Sequence, residues 1–166
     1  EQIPEDILTN VDVILIDGHQ IEVSWELAKV AKSRQIPIVI DGGSWKPGFE
    51  KVLPFVDYAI CSANFSPPQC HNTEDIFNFL RKMGISQIAI TNGKQPIQYL
   101  DQGKMSTIPV ASINALDTLG AGDIFHGAFC HNILQADFPT ALSNAAYIAS
   151  KSCQFFGTRS WLTASS

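Results

Sequence analysis

Runs of Val and Ile, each only a few residues long, recur along the chain and alternate with stretches whose apolar residues keep helical spacing. In "VDVILIDGH" a continuous apolar core over residues 13–16 stops at Asp17-Gly18, and in "IPIVIDGG" a second stops at Asp41-Gly42. Between them, "IEVSWELAKVAKSRQ" sets Trp25, Leu27, Ala28 and Ala31 at a spacing suited to one helical face. Such alternation predicts buried parallel strands joined by crossover helices.

The pattern continues. After a Pro/Gly-containing turn and a short helix, "VDYAICSANF" predicts a third strand that opens into a loop over residues 62–68. "TEDIFNFLRKMG" predicts a helix with Thr73, Glu74 and Asp75 at its start and Arg81, Lys82 and Gly84 at its end, as capping and the macrodipole favour. "SQIAITNG" gives a fourth strand, and "PIQYLDQGKMSTIPV" reads as a hairpin turning near Asp101-Gln102-Gly103. Two apolar helices are expected over about residues 121–134 and 139–155. The sum is an α/β fold: a three-layer domain with a mostly parallel sheet flanked by helices. Ligands of such sheets collect beyond the carboxyl ends of the strands, a rule that sets Asp17, Asp41, Asn64 and Gly93 on one rim.

The 166 residues, 45% hydrophobic, suffice for one core and fit a single domain or most of one. A net charge of −5, with eleven scattered Lys and Arg, argues against a nucleic-acid face, which needs clustered cations. No apolar run approaches the roughly 18 to 20 residues of a membrane span. No membrane partner is therefore expected, and a cytoplasmic location is. Cys61, Cys70, Cys130 and Cys153 show no C-x-x-C pair and no metal-ligand spacing, so buried free thiols are expected. His126 and His131, five apart, do not share a helical face and are assigned to packing and hydrogen bonding.

The chemistry concentrates in "NALDTLGAGDIFHGAF", residues 114–129. Gly120 and Gly122 lack Cβ, so a ligand can come close to the backbone amides there. A helix starting near Ala121 would turn its free N–H groups and positive dipole end toward that ligand, an arrangement suited to a phosphate. Asp123, one residue further, sits where it can orient an alcohol and accept its proton. On residue types alone a second reading stands beside this one: a tight glycine turn and an aspartate that merely stabilises a helix start. A P-loop is absent, and a dinucleotide fingerprint would need a third glycine at Phe125.

"DTLGAGDIFHGAF" resembles the D-T-x-G-A-G-D signature of the ribokinase, or PfkB, family of carbohydrate kinases, and the resemblance runs over nearly the whole chain. It implies ATP-dependent phosphoryl transfer to a hydroxyl of a sugar or nucleoside, with Asp123 as catalytic base and the amides of Gly120, Ala121 and Gly122 as anion hole. Asp117 and Thr118 would lie beside the phosphates and a monovalent cation such as K+. "ITNGKQP" resembles the family's T-x-G-x-x-G segment at the nucleotide phosphates, with Thr91 and Gly93 in place and Pro96 in the position of the second glycine. "SANFSPP" resembles the N-x-x-E region that organises Mg2+; Asn64 matches, and Pro67 stands in the position of the glutamate. Asp117 is the second residue implied near the metal. "VIDGGSWKPG" resembles a strand ending in Asp with a basic residue beyond, here Asp41 and Lys46. "SNAAYIASKSCQFFG" resembles the segment bordering the adenine and cation sites, which implies Asn144 and Gly157.

The match corresponds to the carboxyl-terminal part of a family member, with no counterpart of the amino-terminal sugar-binding portion and β lid before Val11. Residues 1–166 are accordingly expected to be the nucleotide-binding and catalytic part of a ribokinase-like domain, weakly active or inactive alone; a homodimer of the full-length protein stays open, since dimers of the family commonly assemble through the absent lid. The chain opens on Glu1 rather than Met, which agrees with a piece of something longer. The alternative is a catalytically silent relative that binds nucleotide or sugar as a regulatory module, a reading encouraged by Pro67 and Pro96.

Overall fold

A computed structural model of the chain describes residues 3, 4 and 6–163. The elements run β1 (Ile14–Ile16), α1 (Ile21–Ser33), β2 (Ile38–Gly42), α2 (Phe49–Val52), β3 (Tyr58–Ser62), α3 (Thr73–Lys82) and β4 (Gln87–Asn92). There follow β5 (Gln95–Asp101), β6 (Lys104–Ile108), α4 (Ala121–Ile133) and α5 (Phe138–Ser152), with 3-10 turns at Leu53–Phe55 and Ser160–Leu162. The six strands form one sheet in the order β1-β2-β3-β4-β5-β6. The first four pair in parallel, with Ile40 opposite Ala59 and Cys61 opposite Ile90. Two-residue links at 93–94 and 102–103 permit only antiparallel returns between neighbours, so the sheet is mixed.

The chain divides into two compact units, one made of Glu1–Thr91 and Gln98–Ser106, the other of Asn92–Ile97 and Thr107–Ser166. In the first, parallel strands laid down in chain order take right-handed crossovers, which put α1, α2 and α3 on the same sheet face. On that face Ile38, Ile40, Ala59, Cys61, Ile88 and Ile90 join Ala28, Ala31, Val52, Phe77 and Leu80 in one core cluster. The intervening strand residues Val39, Ile60 and Ala89 are fully buried as well. Burial on both faces is why these strands read as unbroken apolar runs, with each buried isoleucine contributing on the order of 2 kcal/mol. α3 begins at a true cap: Asn72 Oδ1 accepts the Asp75 N–H at 2.9 Å.

In the second unit α4 and α5 form a helical hairpin. Phe129 meets Phe138 edge-to-face, centroids 5.8 Å apart and planes at 87°. Ala141, Ala145, Ala146 and Ala149 are buried, the small side chains that let two helix backbones approach closely. Asp137 Oδ1 accepts the Thr140 N–H at 2.9 Å and caps α5. This helix stops at Ser152, short of the expected residue 155, where the Gln154 and Phe155 N–H groups turn to carbonyls three residues back, those of Lys151 and Ser152; the Cys153 carbonyl then accepts the N–H groups of Leu116 at 2.8 Å and Asp117 at 3.2 Å. Three of the four cysteines are buried free thiols as expected, whereas Cys130 is only half-buried.

Candidate active site

The turn that opens α4 is assembled from two segments far apart in sequence. Asp117 Oδ1 accepts the Leu119 N–H at 2.9 Å, and Oδ2 accepts the Gly157 N–H at 2.9 Å. These two amides, Leu119 first, hold the Asp117 carboxyl below the ordinary carboxylate range. The Gly157 bond, together with those from the Leu116 and Asp117 N–H groups to the Cys153 carbonyl, ties residues 116–119 to residues 153–157 by three hydrogen bonds, and the Leu119 bond closes the first segment on itself.

Gly120 ends this segment in the left-handed conformation, φ 74°, and caps α4 without any side-chain bond. A Cβ at Gly120 would lie 3.0 Å from Thr158 Cγ2 and 4.0 Å from Asp123 Oδ2. The Asp123 carboxylate thus folds back over the start of its own helix, beside Gly120, and makes no hydrogen bond or ion pair among the described residues. The backbone requirement explains the glycine; an L side chain is strained at this φ and crowded by Thr158.

One expectation is corrected here. The Ala121 N–H is not free: it donates to Thr118 O at 3.2 Å, closing a turn that Gly120's left-handed backbone creates. Of the four amides at residues 120–123, those of Gly120, Gly122 and Asp123 have no protein acceptor among the described residues. Gly122 is exposed, with nothing within 4 Å of where a Cβ would stand, so this approach is open. His126, buried one turn along, bonds the Gly122 carbonyl through Nδ1 at 2.8 Å, in keeping with its assignment to packing and hydrogen bonding.

The remaining candidates belong to other elements. Asn144, on α5, donates from Nδ2 to Asn132 Oδ1 at 2.8 Å, and Asn132 donates to Ala128 O, so it joins two helices. Gly93 occupies the β4–β5 link with φ 53°. In the first unit Ser62 and Thr91 are register partners at the carboxyl ends of β3 and β4. Thr91 O accepts the Ala63 N–H at 2.8 Å, and the Asn64 N–H donates to Ser62 Oγ at 3.1 Å. The Asn64 side chain is exposed and has no protein partner among the described residues.

At the carboxyl end of β1, where the sequence set Asp17 on the rim, the structure adds contacts that the sequence did not reveal. Asp17 accepts the His19 N–H at 3.0 Å through Oδ1 and pairs with His19 Nδ1 at 2.9 Å through Oδ2, while Lys46 Nζ donates to the Asp17 carbonyl at 2.6 Å. The His19 backbone bond is the main reason the Asp17 carboxyl lies below its ordinary range. A His two residues after an Asp at a strand end was the available signal, since Asx turns bond the backbone two residues on. Trp45 is packed against Phe49, Phe65 and Phe79 at 5.6–5.7 Å, which accounts for its partial burial.

A family model described as pfkB family carbohydrate kinase matches residues 1–164. The chain is 28% identical over 159 residues to ribokinase of Bacillus subtilis, covering 92% of this chain and 52% of that protein. Among solved structures, Arabidopsis thaliana ribokinase complexed with ribose and ATP superposes with a TM-score of 0.82 at 22% identity, covering 95% of this chain and 55% of that one. Anopheles gambiae adenosine kinase, in complex with a di(adenosine) tetraphosphate, gives a TM-score of 0.75 at 21% identity, covering 96% and 55%. These likenesses bear out the α/β, ribokinase-like fold expected from the sequence. The chain spans about half the length of the relatives it matches.

Proposed function

Because the chain belongs to the pfkB family of carbohydrate kinases, we propose that residues 120–123 transfer the terminal phosphoryl group of ATP to a hydroxyl of a sugar or nucleoside. The observation that carries this reading is the pairing of three unclaimed amides with an unpartnered carboxylate at one helix start. The N–H groups of Gly120, Gly122 and Asp123 receive the phosphoryl oxygens, whose charge is spread as the bond to ADP breaks. Asp123 aligns the alcohol, and accepts its proton as the oxygen attacks phosphorus in line. Leu119 and Phe156, 72% and 81% exposed, belong to the Asp117-linked segments and offer apolar surface to a nucleotide base beside Gly157, whereas Asn144 is bonded to Asn132 near the other end of α4.

Mg2+ fits as an ion carried on the nucleotide: no group of three or more His, Cys, Asp and Glu side chains able to hold a metal occurs among the described residues. Asn64, with its side chain unengaged, is the better of the two proposed metal-side residues. Asp117 already accepts two amides, so its part, like that of Thr118 beside it, is to brace the turn near the phosphates and any K+. When bound, Mg2+ screens the repulsion between Asp123 and the phosphates. Thr91 and Gly93 are assigned to the phosphates on the strand side.

Residues 1–166 are read as the carboxyl-terminal, nucleotide-binding part of the kinase domain, in line with the half-length match. A coupled assay of ADP release by the full-length protein over a panel of sugars and nucleosides tests the reading. Acceptor-dependent ADP release supports it; nucleotide binding without release on any acceptor favours the silent regulatory module.

A further inference from the structure

We propose that Thr158 is a positioning residue for the proposed catalytic turn, its γ-methyl acting as the stop that keeps Gly120 in its left-handed conformation. This rests on the kinase reading for its consequence but on packing for its substance. Gly120 has no side chain of its own, and the space its Cβ would enter is filled from outside: Thr158 Cγ2 would be 3.0 Å and Thr158 Cβ 3.8 Å away. Thr158 is itself held from behind. Its carbonyl accepts the Trp161 Nε1–H at 2.9 Å, and the preceding Gly157 N–H is fixed on Asp117 Oδ2 at 2.9 Å. The methyl is therefore carried on a braced segment, not on a free loop.

The physical need is clear from the composition of the turn. Gly120 and Gly122 bracket Ala121, so the backbone that aims the amides is the least restrained kind of chain. Electrostatic stabilisation of a transferring phosphoryl group depends on donors that are already in place, and an error of about 1 Å costs about a hundredfold in rate. Asp123 Oδ2, 4.0 Å from the same Cβ position, shares this neighbourhood, so a shift of Gly120 displaces the base as well as the donors. The Thr158 hydroxyl makes no hydrogen bond among the described residues, which assigns the role to the methyl.

Methyl and hydroxyl can be separated. Thr158→Ser removes the methyl and keeps the oxygen, whereas Thr158→Val keeps a γ-methyl and removes the oxygen. In the full-length protein, Thr158→Ser should lower kcat about tenfold with the KM for ATP little changed. It should also speed amide exchange at Leu119, Ala121 and Ile124, whose N–H bonds close the turn. Thr158→Val should match the parent in both readouts. Parent-like exchange in Thr158→Ser, or a Thr158→Val variant as impaired as Thr158→Ser, overturns the proposal. If the parent transfers phosphate to no acceptor, the kinase reading fails, and the exchange rates alone decide whether Thr158 holds the turn.

Discussion

Asp117 Oδ2 accepts the Gly157 N–H at 2.9 Å across forty positions of sequence, while its other oxygen holds Leu119. One carboxylate thereby fixes the approach to α4 from both sides. Because both bonds favour the charged form, the folded carboxyl titrates below the unfolded value near 3.8. Its contribution to stability is complete above that value and is lost as pH falls through the lowered folded one. Side-chain NMR titration should show Asp117 ionising below pH 3.8, and Asp117→Asn should abolish that share of the acid dependence. A folded value at or above 3.8 would contradict the bonding described.

The two glycines of the turn should respond oppositely to the same substitution. Gly120→Ala meets both an unfavourable φ of 74° and the Thr158 methyl, and should cost about 2 kcal/mol of stability in urea unfolding. Gly122→Ala meets nothing and lies in the helix, so stability should hold or rise by up to about 1 kcal/mol. Its methyl nonetheless narrows the phosphate approach, so turnover should fall. A destabilised but fully active Gly122→Ala protein would contradict this account of the turn.

The alternation of strands and helices was legible because it follows from burial: Val39, Ile60 and Ala89 are as buried as their neighbours, and nothing polar interrupts the runs. The helix start near Ala121 was legible from its glycines, whereas the role proposed for Asp123 came from the resemblance to the D-T-x-G-A-G-D signature, since residue types alone left a plain glycine turn equally open. What could not be read were bonds between distant segments. Nothing local marks Asp117 and Gly157 as partners, or Thr158 as the neighbour of Gly120. The Ala121 amide was misjudged for a related reason: residue type locates a helix start, but which of its N–H groups a turn consumes depends on the backbone angles at Gly120. The Asp17–His19–Lys46 cluster was half visible, its Asx turn being local and its lysine contact not.

Thiol chemistry offers an independent check on burial. Burial pushes the Cys130 thiol up to about 11, raises Cys61 much further, and raises Cys70 as well. At neutral pH these three should react with iodoacetamide far more slowly in the native protein than in urea, since the thiolate is the nucleophile. The neutral thiols also favour the fold over the unfolded chain, which ionises near pH 9, so their contribution should decline as pH rises above that value. Rapid native labelling of Cys61 by mass spectrometry would contradict the packing of β3.

The central claim is that the Asp123 carboxylate takes the acceptor's proton while neighbouring amides hold the phosphoryl group. Asp123→Asn preserves shape and removes the base. Single-turnover measurement of ADP formation by the full-length protein, alongside ATP affinity by calorimetry, separates the two roles. The rate should fall by about 10²- to 10⁴-fold with ATP affinity changed by no more than a few-fold. An Asp123→Asn protein that forms ADP at the parent's rate would contradict it.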